Sequence, residues 1–315
     1  MTEPLAIDIE GAERRIRGHV LETPFLEWPQ AGIWLKCENE QLTGSFKLRG
    51  ALNKVLGLST EALRRGLVAA SAGNHGIGVA LAATVARTSA TVVVPENVVE
   101  RKRRTLEALG AEVRLAAGDF AVAERQGHAL AEERDAVWVS PYNDAEVIAG
   151  QGTLGLELGR QLRARRLQDD IEVYVPVSGG GLLAGVGLGL RLAEAPVRLI
   201  GVQTESAPYF HRYLLGEDPA AVVEQPTLAD GLAGAVEAGS ITWDLVRQLA
   251  DDVLLVSEAE IRQALLRIHR ETGMLIEPSA AVAVAACLAG RGKHRIAILS
   301  GGNADPSLLP RLAQG

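Results

Sequence analysis

Short apolar runs rich in Val and Ile recur along this chain, and most of them are separated by segments of helical length. The runs fall at residues 33–37, 67–70, 90–94, 112–115, 136–139, 172–177, 197–203, 252–256 and 295–299. Two of the longer segments are 146–163 and 258–270. Strands that alternate with helices imply parallel sheets, because a parallel crossover needs about a helix's length of chain to return to the same edge. The pattern predicts an α/β chain of two lobes, each an open, mostly parallel sheet flanked by helices. At 315 residues the chain is long enough for both lobes, with the backbone crossing between them more than once.

Such sheets bind ligands where strand ends lead into helix N-termini. Two glycine-rich segments fall there. Ser71-Ala72-Gly73-Asn74-His75-Gly76 follows the run at 67–70, and Ser178-Gly179-Gly180-Gly181-Leu182 follows the run at 172–177. Consecutive glycines ahead of a helix make a nest of backbone N–H donors suited to phosphate or another anion. Gly179, Gly181 and Ala184 also fit the dinucleotide fingerprint, so a nicotinamide-dependent dehydrogenase competes for this segment. That alternative leaves a third segment unexplained, Gly44-Ser45-Phe46-Lys47-Leu48-Arg49-Gly50. Here Ser45 is placed to cap a helix, which puts Lys47 in its first turn. The positive end of the helix dipole disfavours an ammonium there and favours the neutral amine that a Schiff-base lysine requires. Read alone, Lys47 is more often a solvated lysine on an amphipathic helix. The chain has only five lysines, at 36, 47, 54, 102 and 293, so imine chemistry has few places to sit. Leu299-Ser300-Gly301-Gly302-Asn303 closes the last run, where Ser300 either meets a ring nitrogen or caps a helix.

Composition narrows the partners. Aromatic residues make up 4% of the chain, so Ala, Val and Leu must fill the core. A net charge of −7 argues against nucleic acid and anionic membrane as partners. No apolar stretch reaches the ~18 residues of a membrane span, and no N-terminal basic segment leads into an apolar run. A cytoplasmic location is expected. Cys37 and Cys287 lie in apolar surroundings and read as buried thiols.

Taken together, six segments resemble the serine/threonine dehydratases of pyridoxal phosphate fold type II, a group that includes serine racemase. They are 44–51, 71–76, Ile-Ala-Gly-Gln-Gly-Thr at 148–153, 178–182, Ile-Glu-Pro-Ser at 276–279 and 299–303. The resemblance implies pyridoxal 5'-phosphate as cofactor, a small amino acid as substrate and a homodimer. It implies that Lys47 carries the Schiff-base link and moves the Cα proton, that Phe46 packs beside the ring, and that Asn74 bonds the phenolic oxygen. Ser71, Asn74 and His75 would line the substrate carboxylate. The amides of Gly179, Gly180, Gly181 and Leu182 would hold the phosphate, and Ser300 would meet the pyridine nitrogen. The small lobe would be 50–139, inserted in a large lobe of 1–49 and 140–315. The expected reaction is β-elimination from L-threonine or L-serine to a 2-oxo acid and ammonia. β-Replacement, threonine synthesis and racemisation are the alternatives within the fold type.

Two departures matter. The position of the racemases' proton-donating serine holds Ala72. Gln203 and Tyr209 align with the carboxylates of the family's cation site, so no metal is expected, with Glu205 an offset substitute.

Overall fold

The computed structural model describes residues 7–314, which pack as two units: residues 7–21 with 47–150, and residues 22–46 with 151–314. The sequence reading assigns 1–49 and 140–315 to the larger lobe. Packing instead groups 7–21 with the smaller unit, because Ile16 is buried in a core with Leu48, Leu52 and Val55. Residues 140–150 join it too. Asn53 Nδ2 donates to Glu146 O at 2.6 Å, and a side chain on Gly150 would strike Arg49 O.

The smaller unit is built on a four-stranded sheet in the order Glu112–Ala116, Ala90–Pro95, Leu67–Ala70, Val137–Trp138. Every pairing is parallel. Ala90–Pro95 and Leu67–Ala70 are buried almost throughout, as strands covered on both faces must be. The helix Lys47–Leu56 packs on the helix Asn74–Ala86 through Leu48, Leu52, Val79, Ala82 and Ala83. Gly78 permits the approach, since a methyl there would lie 3.3 Å from the Lys47 carbonyl.

The larger unit holds a six-stranded sheet in the order Phe25–Trp28, Ile33–Lys36, His294–Ile298, Ile171–Pro176, Val197–Thr204, Asp252–Val256. Only the first pair is antiparallel. The strand Phe25–Trp28 has no counterpart in the sequence reading. It is four residues between Pro24 and Pro29 on an edge, too short for alternation to register. The helix Pro278–Ala289 covers the middle of the sheet with Ala280, Ala281, Val282, Ala283 and Val284, all fully buried. Small residues let helix and sheet approach closely, which is how a chain poor in aromatics fills its interior. Cys37 and Cys287 are buried free thiols, as expected, and burial pushes both above the ordinary thiol range. Among the described residues no helix is long and apolar enough to cross a membrane.

Candidate active site

In the smaller unit, Lys47 is the first residue of its helix. Ser45 does not cap that helix. Its backbone pairs with Gly301 and its buried hydroxyl has no partner among the described residues. Lys47 Nζ donates to the carbonyl of Pro141 at 2.8 Å. Burial lowers the ammonium to about 8, so roughly a tenth to a fifth of the side chain is neutral amine near physiological pH, against a trace for an ordinary lysine. His75 lies close enough to feel the lysine. Burial first, and then the charge of Lys47, push it down to about 3, against the opposing bond to Val139. Its Nε2 sits 2.8 Å from Val139 O. A carbonyl only accepts, so Nε2 carries the proton and the ring is neutral.

The Nε2 of His75 is thereby committed to Val139, and the donors His75 still offers an anion are on its backbone. The N–H groups of His75 and Gly76, in the first turn of Asn74–Ala86, meet no acceptor among the described residues. Ser71 Oγ accepts from Gly73 N–H at 3.1 Å, which shapes the turn, and a methyl on Gly76 would lie 2.1 Å from Ser71 O. Asn74 opens the helix and is partly exposed. Lys47, Ser71, Asn74, His75 and the carbonyl of Pro141 therefore belong to one unit. Pro141 carries no sequence signal, because an irregular stretch shows nothing of where its carbonyls point.

In the larger unit, two loops leave the C-terminal ends of the neighbouring parallel strands Ile171–Pro176 and His294–Ile298. The first is the glycine loop. Gly180 is left-handed, with φ 84° and ψ −14°, and caps the helix Gly181–Leu192 without a side-chain bond. The N–H groups of Gly179, Gly180, Gly181 and Leu182 find no acceptor among the described residues. Four adjacent unpaired donors at a helix start form a cradle for a phosphate. The second loop carries Ser300, which is 6% exposed. Its carbonyl accepts from Phe46 N–H at 3.1 Å, and Lys47 follows Phe46 in the chain. Its hydroxyl bonds to nothing among the described residues and caps no helix, since the next one starts at Leu308.

This loop is braced on both sides. Asn303 Nδ2 donates to Thr43 O at 2.8 Å, and Asn303 N–H donates to Glu277 Oε1 at 2.9 Å. Neither Asn303 nor Glu277 is given a role by the sequence reading. Within the larger unit, an unpartnered hydroxyl and four amide donors suit a ring nitrogen and a phosphate, and within the smaller unit a buried lysine amine suits an aldehyde.

At the positions aligned with the cation carboxylates, Gln203 Oε1 accepts from His211 N–H at 2.9 Å. Burial and a hydrogen bond to Glu224 push Tyr209 up to about 12. Glu205 is exposed. Among the described residues no group of three His, Cys, Asp or Glu side chains is arranged to hold a metal ion.

Known proteins are similar to this chain over most of its length. The L-threonine ammonia-lyase of Thermotoga maritima is 40% identical over 315 residues, spanning 97% of this chain and 77% of that protein. The catabolic L-threonine dehydratase of Escherichia coli (strain K12) is 35% identical, spanning 98% and 96%. The structure of maize serine racemase superposes with a TM-score of 0.87 at 29% identity, spanning 98% and 97%. The fold is that of the fold type II enzymes, and the dehydrogenase alternative falls away. Since the model of the pyridoxal-phosphate dependent enzymes matches residues 16–301, the chain belongs to that family.

Proposed function

We propose that this protein is a pyridoxal-phosphate-dependent ammonia-lyase that converts L-threonine or L-serine to the 2-oxo acid and ammonia. The observation that carries the reading is the buried amine of Lys47, lowered to about 8 and held by the Pro141 carbonyl, the state a Schiff-base lysine requires. The two relatives at 40% and 35% identity, named for threonine ammonia-lyase and dehydratase activity, support the same substrate class. When bound, the cofactor supplies the electron sink for the pair left at Cα.

The rest falls to the chain. Lys47 Nζ, in its neutral form, takes the Cα proton, and the Pro141 carbonyl orients it. Ser71, Asn74 and the free N–H groups of His75 and Gly76 hold the substrate carboxylate. The amides of Gly179, Gly180, Gly181 and Leu182 hold the phosphate, and Phe46 packs beside the ring. Ser300 bonds the ring nitrogen without adding the negative charge that would keep it protonated. In that role Ser300 would favour loss of the β-hydroxyl over transamination. Loss of water and then hydrolysis complete the reaction. The reading carries with it a homodimer, a cytoplasmic location and no requirement for a divalent cation.

The test is a spectrum followed by a product assay. A visible band that borohydride removes, with ammonia and 2-oxo acid released from L-threonine or L-serine, is the expected result. A band without ammonia release makes the protein a binder, and D-serine formed as fast as pyruvate makes it a racemase.

A further inference from the structure

We propose that Phe210 is a positioning residue for the phosphate cradle, holding Gly180 in the one backbone state that aims the amides of residues 179–182 at a common point. The inference rests on the reading that this cradle binds the cofactor phosphate. Three consecutive glycines have the least intrinsic preference for any conformation, so the loop's own chain does not select the cradle. The left-handed state of Gly180 does, because it turns successive N–H groups to the same side.

What selects that state is tertiary. A methyl on Gly180 would lie 2.7 Å from Phe210 Cζ, 2.9 Å from Thr242 Cβ and 3.1 Å from Val246 Cγ2. The backbone of Gly180 therefore lies directly against these groups. Phe210 and Thr242 are both 0% exposed. Phe210 cannot move away. Its ring packs on Trp243 at 4.5 Å between centroids. Its short helix, Tyr209–Leu214, is tied down next door: His211 N–H donates to the buried Gln203 at 2.9 Å, and His211 Nδ1 lies 2.7 Å from Val253 O. Gln203 thus acquires a role, anchoring the helix that carries the plug. Thr242 is held in turn by the 2.6 Å contact between its hydroxyl and that of Ser240. A cradle ordered before the ligand arrives binds more tightly because less entropy is lost on binding.

The test separates phosphate recognition from general packing by comparing two probes. Apoenzyme is titrated with pyridoxal 5'-phosphate and with pyridoxal, which has the aldehyde and ring but no phosphate. Phe210→Leu keeps most of the core volume yet lacks Cζ; Phe210→Ala removes the plug. Both are expected to weaken pyridoxal 5'-phosphate, the alanine by ~10-fold or about 1.4 kcal/mol, while pyridoxal changes by less than ~2-fold. The apoenzyme melting temperature of Phe210→Leu reports any loss of the fold. Equal weakening of both probes, or of neither, overturns the proposal. Gly180→Ala is the control for the underlying reading. If it leaves the ratio of the two affinities unchanged, the phosphate assignment of the loop fails. If it shifts the ratio and the Phe210 variants do not, the assignment stands and the plug fails.

Discussion

A lysine amine that must act as nucleophile and base near neutral pH needs a lowered pKa, and burial supplies it for Lys47. The consequence is a pH profile. Uptake of pyridoxal phosphate by apoenzyme, followed as growth of the visible band, should accelerate ~tenfold per pH unit below about 8 and level off above it. A rate still rising towards the ordinary lysine value would mean that the amine is solvated. Ala72 bears on stereochemistry. A general acid contributes ~10² to 10⁴ in rate, and alanine has no proton to give on the opposite face. L-Serine should therefore yield pyruvate with little D-serine, as chiral chromatography would show. Ser300→Ala should fold with an unchanged melting temperature, because the hydroxyl bonds to no described residue and caps no helix. It should nonetheless lose turnover and shift the visible band. If both stay as they were, the ring-nitrogen role is abandoned.

Between elements, a close backbone crossing joins the helices Ala145–Ala164 and Gly181–Leu192. A methyl on Gly155 would lie 2.2 Å from Val186 O, and one on Gly189 would lie 2.1 Å from Gly152 O. In both cases the obstacle is backbone, which cannot rotate aside as a side chain would. Gly189→Ala should therefore destabilise by about 3 kcal/mol, read as a lowered urea midpoint at constant slope. Gly239→Ala, with nothing within 4 Å and no left-handed backbone, is the control and should be near neutral. The same crossing places the helix that starts at the phosphate cradle, so this packing and the cradle share a determinant.

For the whole molecule, stability turns on charges without water. Lys36 is 0% exposed, and its Nζ contacts Glu157, 121 residues away in sequence, while also donating to Thr23 O at 2.8 Å. Thr23 N–H donates to Glu157 at 2.9 Å, and Thr23 Oγ1 donates to the buried Glu38 at 2.6 Å. The cluster knits residues 22–46 to 151–314, the two stretches of the larger unit. Lys36→Met leaves buried carboxylate without its cation and should cost ~3–5 kcal/mol, whereas Lys36→Met with Glu157→Leu should recover most of the loss. Purely additive effects in urea titrations would show that the pair is not coupled.

Periodicity was enough to specify the parallel α/β architecture, and glycine spacing marked the turns at residues 71–76 and 178–182 that lead from strands into helices. These features arise from local physics, in strand burial on both faces, in helix starts and in the backbone freedom of glycine. The strands at 67–70 and 252–256 and the helix opening at Asn74 were legible for that reason. The edge strand Phe25–Trp28 was not, because four residues carry too little pattern. Ser45 looked like a cap, yet its pairing with Gly301, more than 250 residues later in the chain, decided otherwise. The pKa of Lys47, the neutral ring of His75, the grouping of residues 7–21 with the smaller unit and the plug over Gly180 all depend on contacts between distant segments. Burial and hydrogen-bond partners belong to the folded arrangement, and a local pattern can offer a residue to a site but cannot set its surroundings.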